Sequence, residues 1–352
     1  MTTVLLPPTT TRVLNSSLAQ KIMSADEAAA LIHSGDQIGM SGFTGSGYPK
    51  AVPMKLARRI AEANFRGEKF QVSVFTGAST GPELDGALAM AGGVHLRLPY
   101  QSDPETRKRI NAGEMEYMDI HLSHVAQFVE YGFLGKLNVA LIEVTAVLED
   151  GRLIPSSSIG NNKTWIDQAD RVILEVNSWQ PAALEGMHDI YYGLKMPPNR
   201  GPIPLVSTGQ RIGTPYLEVP PEKVVAIVLT DAPDRNSAFK APDKASKEIA
   251  GHILEFLSWE VKKGRMPANL LPLVRGADFL YRSDSGRHDS SAEVGKADLR
   301  FGDGIFAQSG WHDGGEREHG QLSGPHRDAS AGDFQSSGNH PPAGSDRHER
   351  HD

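Results

Sequence analysis

Short apolar runs alternate with helical patterns along the first three quarters of the chain. Five such runs predict strands, at residues 36–40, 71–75, 139–144, 171–176 and 224–229. The last three are nearly continuous in Val, Ile and Leu, which is typical of strands covered on both faces of a mostly parallel sheet.

Helical patterns lie between these runs. Ser24 and Glu27 form a capping box that predicts a helix over 24–34, and Gly35 follows as its stop. Further helices are predicted over 50–64 and 243–263. The last of these presents an apolar face of Ile249, Ile253, Phe256, Leu257 and Val261. The alternation predicts an α/β fold, with an open, mostly parallel sheet and helices on both faces.

The pattern ends near residue 273. Residues 274–352 hold few aliphatic side chains and many Gly, Ser, Asp, Arg and His. Such a segment cannot bury enough apolar surface to offset an ordering cost of about 1–2 kcal/mol per residue. We therefore predict a loose lead-in over 1–20, a folded α/β domain over 21–273 and a disordered tail over 274–352. The tail's composition resembles a GC-rich gene translated out of frame, and a native disordered tail is the alternative.

Charge and composition narrow the classes of partner. The 352 residues carry a net charge of -7 with interspersed signs, which argues against a nucleic-acid partner. The absence of cysteine excludes disulfides, thiolate metal sites and cysteine nucleophiles. No apolar run approaches the roughly 20 residues of a membrane helix, and the N-terminus lacks a signal-peptide pattern. We expect a cytoplasmic protein without a membrane partner.

Residues 41–49, Ser-Gly-Phe-Thr-Gly-Ser-Gly-Tyr-Pro, connect the first predicted strand to the helix over 50–64. Open α/β sheets bind ligands at this end of their strands. Gly42, Gly45 and Gly47 would let the backbone approach a ligand and point N–H groups at it. The loop is a candidate site for an oxyanion or a carboxylate, and a glycine turn that serves packing alone is the alternative.

Two known phosphate motifs do not fit this loop. A P-loop requires Lys and then Ser or Thr after Gly47, where the chain has Tyr48 and Pro49. A dinucleotide-binding fingerprint that starts at Gly45 requires glycine at Lys50. A nucleotide-binding protein is therefore disfavoured.

Other polar residues near the predicted strands admit two interpretations. The turn over 156–162 and Asn177 could line a substrate site, or could only satisfy backbone groups. Glu143 and Glu175 lie within apolar strands, so they are candidates for buried carboxylates with raised pKa, unless they pair with a cation or sit at a strand end.

A serine triad built on His188-Asp189 is disfavoured, because adjacent side chains diverge and no nucleophile elbow is present. No metal site is predicted, although His348 and His351 near the C-terminus could bind a metal adventitiously.

The glycine loop also carries a family resemblance. Gly42-Phe43, three residues and then Gly47-Tyr48-Pro49 match the Gly-Phe-x-x-x-Gly-x-Pro element of class I CoA-transferases. The flanking residues 40–43 and 48–53 resemble the acetyl-CoA hydrolase / succinyl-CoA:acetate CoA-transferase family in particular, with Ser41 where many CoA-transferases have glycine. Residues 155–162, 169–177 and 184–191 are similar to the same family, so the resemblance covers about residues 24–273.

The resemblance implies an enzyme that attacks an acyl-CoA with a glutamate, passes through an acyl-glutamyl anhydride and transfers CoA to a second acid, or releases it to water. Coenzyme A is then a substrate and no cofactor is needed, the acids are acetate or succinate, and a homodimer is expected by analogy. The implied oxyanion and acyl-site loop is Gly42, Phe43, Thr44, Gly45, Gly47 and Pro49. The implied substrate-lining residues are Ser158, Gly160, Asn161 and Asn177.

The chain departs from the family at its nucleophile. The family's glutamate and most CoA contacts belong to a second domain, which opens shortly after the stretch matched by residues 264–273. Here the chain continues as Val274-Arg-Gly-Ala-Asp-Phe, and the pattern is lost. Glu293 has neighbours that do not match, so no catalytic residue is assigned. We expect an enzyme by family that is crippled by loss of the second domain, with a non-catalytic truncated remnant or binding module as the alternative. Hydrolase and transferase are not separable by sequence.

Overall fold

The computed structural model describes residues 12–192, 197–207, 210–236, 241–268 and 270. Within them, one sheet contains strands β1 (Gln37–Met40), β2 (Val72–Phe75), β3 (Val94–Leu98), β4 (Glu116–Tyr117), β5 (Val139–Val147), β6 (Leu153–Pro155), β7 (Arg171–Asn177) and β8 (Val224–Thr230). The strand order is β4-β3-β2-β1-β5-β7-β8, and every pairing along it is parallel. The short β6 pairs antiparallel with β5.

The helices of the described part are α1 (Ser16–Ala19), α2 (Ala25–Ala30), α3 (Ala51–Phe65), α4 (Ala87–Met90), α5 (Pro104–Asn111), α6 (Leu122–Glu130), α7 (Asn162–Gln168) and α8 (Lys244–Lys262). A π-helical turn, Pro82–Gly86, leads directly into α4. The capping box predicted at α2 is present, since Ser24 and Glu27 each accept a hydrogen bond from the other's backbone N–H.

Helices cover both faces of the sheet. Successive residues of a strand therefore enter two separate cores, one on each face. In β5, Val139 and Leu141 pack into a core that includes α2, α3 and α4. Ala140 and Ile142 pack into a second core that includes α6 and α7. The alternation follows from the two-residue period of a strand, and the continuous apolar runs reflect burial on both sides. The predicted fold class is confirmed.

All five predicted strands and all three predicted helices are present, with ends within a few residues. Strands β3, β4 and β6 were not predicted. In β3, Val94-His-Leu-Arg-Leu alternates apolar and polar residues, which is the period of a half-buried strand, but the run is only five residues long and the sequence prediction did not include it. His95 is exposed, whereas Arg97 is buried at 1% exposure through an ion pair with Asp85, and that burial is what the alternation does not predict.

The predicted lead-in and tail have different outcomes. Residues 12–20 are packed rather than loose, since Leu18 is 1% exposed and Val13 pairs with Val147 of β5. This packing uses apolar side chains that were too sparse to reveal a helix as short as α1. The predicted disordered tail over 274–352 lies outside the described residues and stays a prediction.

Helix α8 keeps much of its predicted apolar face in solvent. Leu257 is 6% exposed, whereas Ile249 and Phe256 are 47% and 59% exposed. Helical periodicity therefore located the helix but not a contact for its whole face. None of the described helices is long and apolar enough to cross a membrane.

Candidate functional site

The strand order places the glycine loop at the switch point of the sheet. From β1 the chain moves outward through β2, β3 and β4, and then returns to the other side of β1 with β5. Ligand crevices in open α/β sheets form at such a point, outside the carboxyl ends of the strands. The glycine loop over 41–49 directly follows β1, as the sequence predicted.

The loop is folded tightly on itself. Phe43 and Ser46 exchange backbone hydrogen bonds of 3.0 and 3.2 Å. Gly42, Thr44 and Gly47 have φ values of +119°, +53° and +62°, so three residues of the loop have positive φ. A Cβ at Gly47 would lie 2.6 Å from Ser156 Oγ and 2.8 Å from Ser158 N, which leaves room only for glycine.

The turn after β6, residues 156–161, lies against this loop. Ser158 is 5% exposed, and its Oγ makes no hydrogen bond within the described part of the chain. A Cβ at Gly47 would come within 2.9 Å of that Oγ. A buried hydroxyl without a partner is uncommon in folded proteins, and a water or a ligand at this position would satisfy it.

Gly160 and Asn161 lie further out on the same turn. Gly160 is exposed and Asn161 is half-buried, and the Asn161 side chain makes no capping bond to α7. A Cβ at Gly77, in the loop after β2, would lie 2.9 Å from Gly42 O and 3.8 Å from Gly160 Cα. Three loops therefore meet at one edge of the sheet.

Under the glycine loop, Lys50 stands between two carboxylates. Its Nζ lies 2.7 Å from Glu143 Oε2 and 2.9 Å from Asp234 Oδ1, and it donates to Tyr48 O at 2.8 Å. Lys50 is 2% exposed, and both carboxylate side chains are fully buried. Asn177 Nδ2 and Gln180 Nε2 also donate to Glu143, at 3.0 and 2.9 Å. We call Lys50, Glu143, Asp234, Asn177 and Gln180 the Lys50 cluster.

Glu175 takes a different role beside this cluster. It pairs in register with Glu143 on the neighbouring strand and is fully buried. Its carboxylate accepts the backbone N–H groups of Lys50, Ala51 and Val52 at 2.9, 3.0 and 2.7 Å. Glu175 thus caps the N-terminus of α3, where the free N–H groups and the helix dipole favour negative charge.

The charges of the cluster shift its proton affinities. Burial, partly offset by Lys50, raises the pKa of Glu143 to about 7. Burial also raises the pKa of Glu175, against the three N–H bonds that lower it. For Lys50, burial lowers the pKa, but Glu143 and Asp234 outweigh burial and leave the pKa raised. Both strand glutamates are buried and burial raises the pKa of each, while Glu143 also pairs with a cation, Lys50, which was the alternative.

A second buried ion pair supports the loop after β2. Arg97 Nε lies 2.9 Å from Asp85 Oδ1, with side-chain exposures of 1% and 2%. Arg97 Nη2 donates to Thr76 Oγ1 at 2.7 Å, and Asp85 Oδ2 accepts Thr80 N at 2.7 Å. Burial raises the pKa of Asp85, but the charge and hydrogen bonds of Arg97 outweigh it and leave the pKa lowered.

The structure brings Gly42, Gly47, Ser158 and Gly160 together at the sheet edge. Around them, Phe43 and Thr44 are half-buried, as is Gly45, whereas Pro49 is buried. Asn177 lies beneath, where its Nδ2 bonds Glu143 Oε2 and Ala232 O. The roles assigned to these nine residues and to Asn161 stay predictions.

Sequence reasoning missed Lys50, Asp234 and Gln180 as members of the site. A cation directly after a glycine loop, with two glutamates in buried strands, was the available signal for Lys50. The Gly47 N–H donates to Asp234 Oδ1 at 3.1 Å, so in this arrangement it is bonded within the chain and does not point at a ligand.

Histidines contribute little to this edge. His188 is 8% exposed beside Ser156, and burial lowers its pKa to about 4. Asp189 instead accepts the N–H groups of Ile212 and Gly213 at 3.1 and 2.7 Å. Among the described residues, no group of three His, Asp or Glu is placed to hold a metal ion. His348 and His351 lie outside these residues.

Comparison with known proteins accounts for this architecture. Residues 9–229 match the family model described as acetyl-CoA hydrolase/transferase N-terminal domain. The chain is 44% identical over 265 residues to succinyl-CoA:acetate CoA-transferase of Clostridium kluyveri, covering 75% of this chain and 48% of that protein. It is 39% identical over 254 residues to propanoyl-CoA:succinate CoA transferase of Escherichia coli, covering 72% and 51%. Acetyl-CoA hydrolase of Schizosaccharomyces pombe is 38% identical over 274 residues, covering 75% and 52%.

The chain spans about half the length of these curated relatives. The family match covers more than half of this chain and includes the glycine loop, the serine turn and strands β1 to β7. The resemblance seen in the sequence is thus confirmed, and the chain belongs to the acetyl-CoA hydrolase/transferase family through that family's N-terminal domain.

Proposed function

We propose that this chain provides the acyl-binding half of an acyl-CoA:carboxylate CoA-transferase or acetyl-CoA hydrolase. Its substrates would be acetyl-CoA or succinyl-CoA with acetate or succinate, in acetate and acetyl-CoA metabolism of the cytoplasm. Coenzyme A would enter as a substrate, with no further cofactor, nucleic acid or membrane needed, and the assembly would be a homodimer. The activities of the family relatives support this proposal.

One observation carries the proposal. The Ser158 hydroxyl is buried, has no partner within the described residues and lies against Gly47 at the switch point of the sheet. A thioester carbonyl placed there would accept this hydrogen bond as negative charge develops on its oxygen. One such donor in a water-poor site contributes about 3–4 kcal/mol to the transition state.

The division of labour follows from the resemblance. The family's nucleophilic glutamate belongs to the half that the described domain does not match. We therefore propose that the described domain binds and orients the acyl group, and that turnover needs the glutamate of that second half. The second candidate function is a non-catalytic binding module, since no residue of the described part has been assigned as the nucleophile.

An acetyl-CoA and succinate assay on the full chain tests the proposal. Succinyl-CoA formation and CoA release are followed together, and acetyl-CoA binding is measured by calorimetry. Ser158→Ala should weaken binding by about fivefold, the value of one hydrogen bond. Ser73→Ala, at a buried serine of β2, is the matched control and should change nothing.

The possible results separate the candidates. Turnover that Gly47→Val abolishes would assign the chain as an enzyme and contradict the claim that a second half is needed. Binding without turnover would assign a binding module or orphaned half. Absence of acetyl-CoA binding in the folded wild-type chain would refute both.

A further inference from the structure

The segment after β8, residues 231–236, crosses the glycine loop, and we call it the 231–236 strap. Arg235 N donates to Gly45 O at 2.9 Å, and Ser46 Oγ donates to Asn236 Oδ1 at 2.9 Å. A Cβ at Gly45 would lie only 2.4 Å from Arg235 O. Glycine at this position therefore permits a close backbone contact with the strap.

Asp234 is the centre of this contact. Its Oδ1 accepts Gly47 N at 3.1 Å and lies 2.9 Å from Lys50 Nζ. Its Oδ2 accepts Ser157 Oγ at 2.9 Å and Gln180 Nε2 at 3.0 Å. The side chain is fully buried, and four donors satisfy it.

The four donors come from separate parts of the chain. Gly47 belongs to the glycine loop, Lys50 to the start of α3, Ser157 to the serine turn and Gln180 to the segment after β7. One carboxylate oxygen binds the loop, and the other binds the residue next to Ser158. The carboxylate therefore fixes the distance between the two loops that form the proposed acyl site.

We propose that Asp234 is the positioning residue of this site. It acts through Gly47 and Ser157, since its own two oxygens are occupied by donors of the chain. The relevance of this positioning to acyl binding rests on the proposed function. The positioning of the two loops by Asp234 does not depend on it. Both oxygens face donors only, so the site requires a carboxylate: an amide would place its NH2 group against a second donor.

The test uses the full chain with Asp234→Ala, which leaves a space of carboxylate size between the four donors. Hydrogen exchange of the backbone over 42–48 and 156–161 should become about tenfold faster, since local opening no longer breaks these bonds. Added formate should restore protection, whereas chloride at equal ionic strength should not. Asp234→Asn should resemble Asp234→Ala and respond little to formate.

Asp231→Ala is the matched control, because Asp231 is exposed on the same strap. It should leave exchange in both loops unchanged. Should Asp234→Ala fail to fold, Ser157→Ala removes only the bond to the serine turn, and faster exchange is then expected over 156–161 alone.

The positioning role would be overturned if Asp234→Ala left hydrogen exchange unchanged in both loops. If Asp234→Ala does not fold, the same conclusion would follow from unchanged exchange in Ser157→Ala. Formate that restores acetyl-CoA binding together with loop protection would support both inferences. If formate restores protection and wild type still fails to bind acetyl-CoA, the proposed function is wrong and the positioning role stands.

Discussion

Two buried charge clusters support neighbouring loops of the same sheet edge, and they balance their charges differently. Under the loop after β2, Arg97 meets one carboxylate, Asp85, and its Nη2 also donates to Thr76 Oγ1 and Ala78 O of the loop. Under the glycine loop, Lys50 is shared between the carboxylates of Glu143 and Asp234.

The pKa of each acid reflects this difference. Asp85, with a cation of its own, has a lowered pKa, whereas Glu143, which shares its cation, has a pKa raised to about 7. A matched buried pair keeps its charges at all ordinary pH values, while an excess carboxylate can relieve its burial by taking up a proton. We infer that the Arg97 pair is structural and that the Lys50 cluster changes its proton count near neutrality.

The largest expected effect is that of Arg97→Met, which leaves Asp85 buried without its cation. Removing one partner of a buried pair costs about 3–5 kcal/mol. Urea unfolding should show this loss, while Arg66→Met, at an exposed pair with Glu68, should leave the free energy of unfolding nearly unchanged. Equal losses for the two variants would contradict the structural role of Arg97.

Lys50→Met should cost less than Arg97→Met at pH 6.5, about 1–3 kcal/mol, because Glu143 can hold a proton and Asp234 keeps three other donors. Without Lys50, which lowers it, the pKa of Glu143 rises further. In wild type the stability loss due to Glu143 ends near pH 7, whereas in Lys50→Met it continues to higher pH. The difference in unfolding free energy between the two proteins should therefore grow above pH 7, by up to about 1.4 kcal/mol per pH unit. Adding Glu143→Gln should remove this growth, and a difference independent of pH would refute it.

The third prediction concerns the pH dependence of wild-type stability. Glu143 has a folded pKa of about 7 against an ordinary value of 4.5, so its contribution is complete below 4.5 and is lost as pH rises towards 7. Asp85 has a lowered pKa, so its effect on stability has the opposite pH dependence: its stabilising contribution is lost as pH falls. Glu143→Gln should therefore flatten the decline between pH 4.5 and 7 in urea titrations. If stability in the variant falls as steeply over this pH range as in wild type, another titrating group causes the loss.

The smallest effect is expected for His188. Its folded pKa of about 4 lies below the ordinary 6.5, so its contribution is present above pH 6.5 and is lost as pH falls towards 4. This slope opposes that of Glu143. In thermal unfolding, the melting temperature of His188→Asn relative to that of wild type should be higher at pH 5 than at pH 7. An equal difference in melting temperature at the two pH values would show that His188 is solvated in solution.

Much of the fold was predictable because local patterns encode it. The continuous Val and Ile runs of β5, β7 and β8 required burial on both faces, and two cores provide it. The capping box at Ser24 and Glu27 marked a helix start that the structure retains. Strand β3 was missed although its five residues alternate apolar and polar, and what no local period records is that Arg97 is buried by Asp85, twelve residues earlier.

The site was predictable in its location but not in its composition. The glycine loop identified the edge of the sheet, and the strand glutamates were recognised as buried. Asp234 lies 187 residues from Gly47 in sequence, in a polar segment that resembles any loop. Only the neighbouring positions of β7, β5 and β1 bring its strap over the glycine loop.

The sequence by itself determined five of the eight strands of the described part, the helices α2, α3 and α8, and the family to which the chain belongs. Those properties depend on neighbours two to four positions apart and on short motifs. The tertiary structure alone decided that Glu143 pairs with Glu175, that one lysine serves two carboxylates and that a carboxylate after β8 binds the glycine loop. Such meetings depend on strand order and register, which arise from many non-local contacts that no single segment encodes.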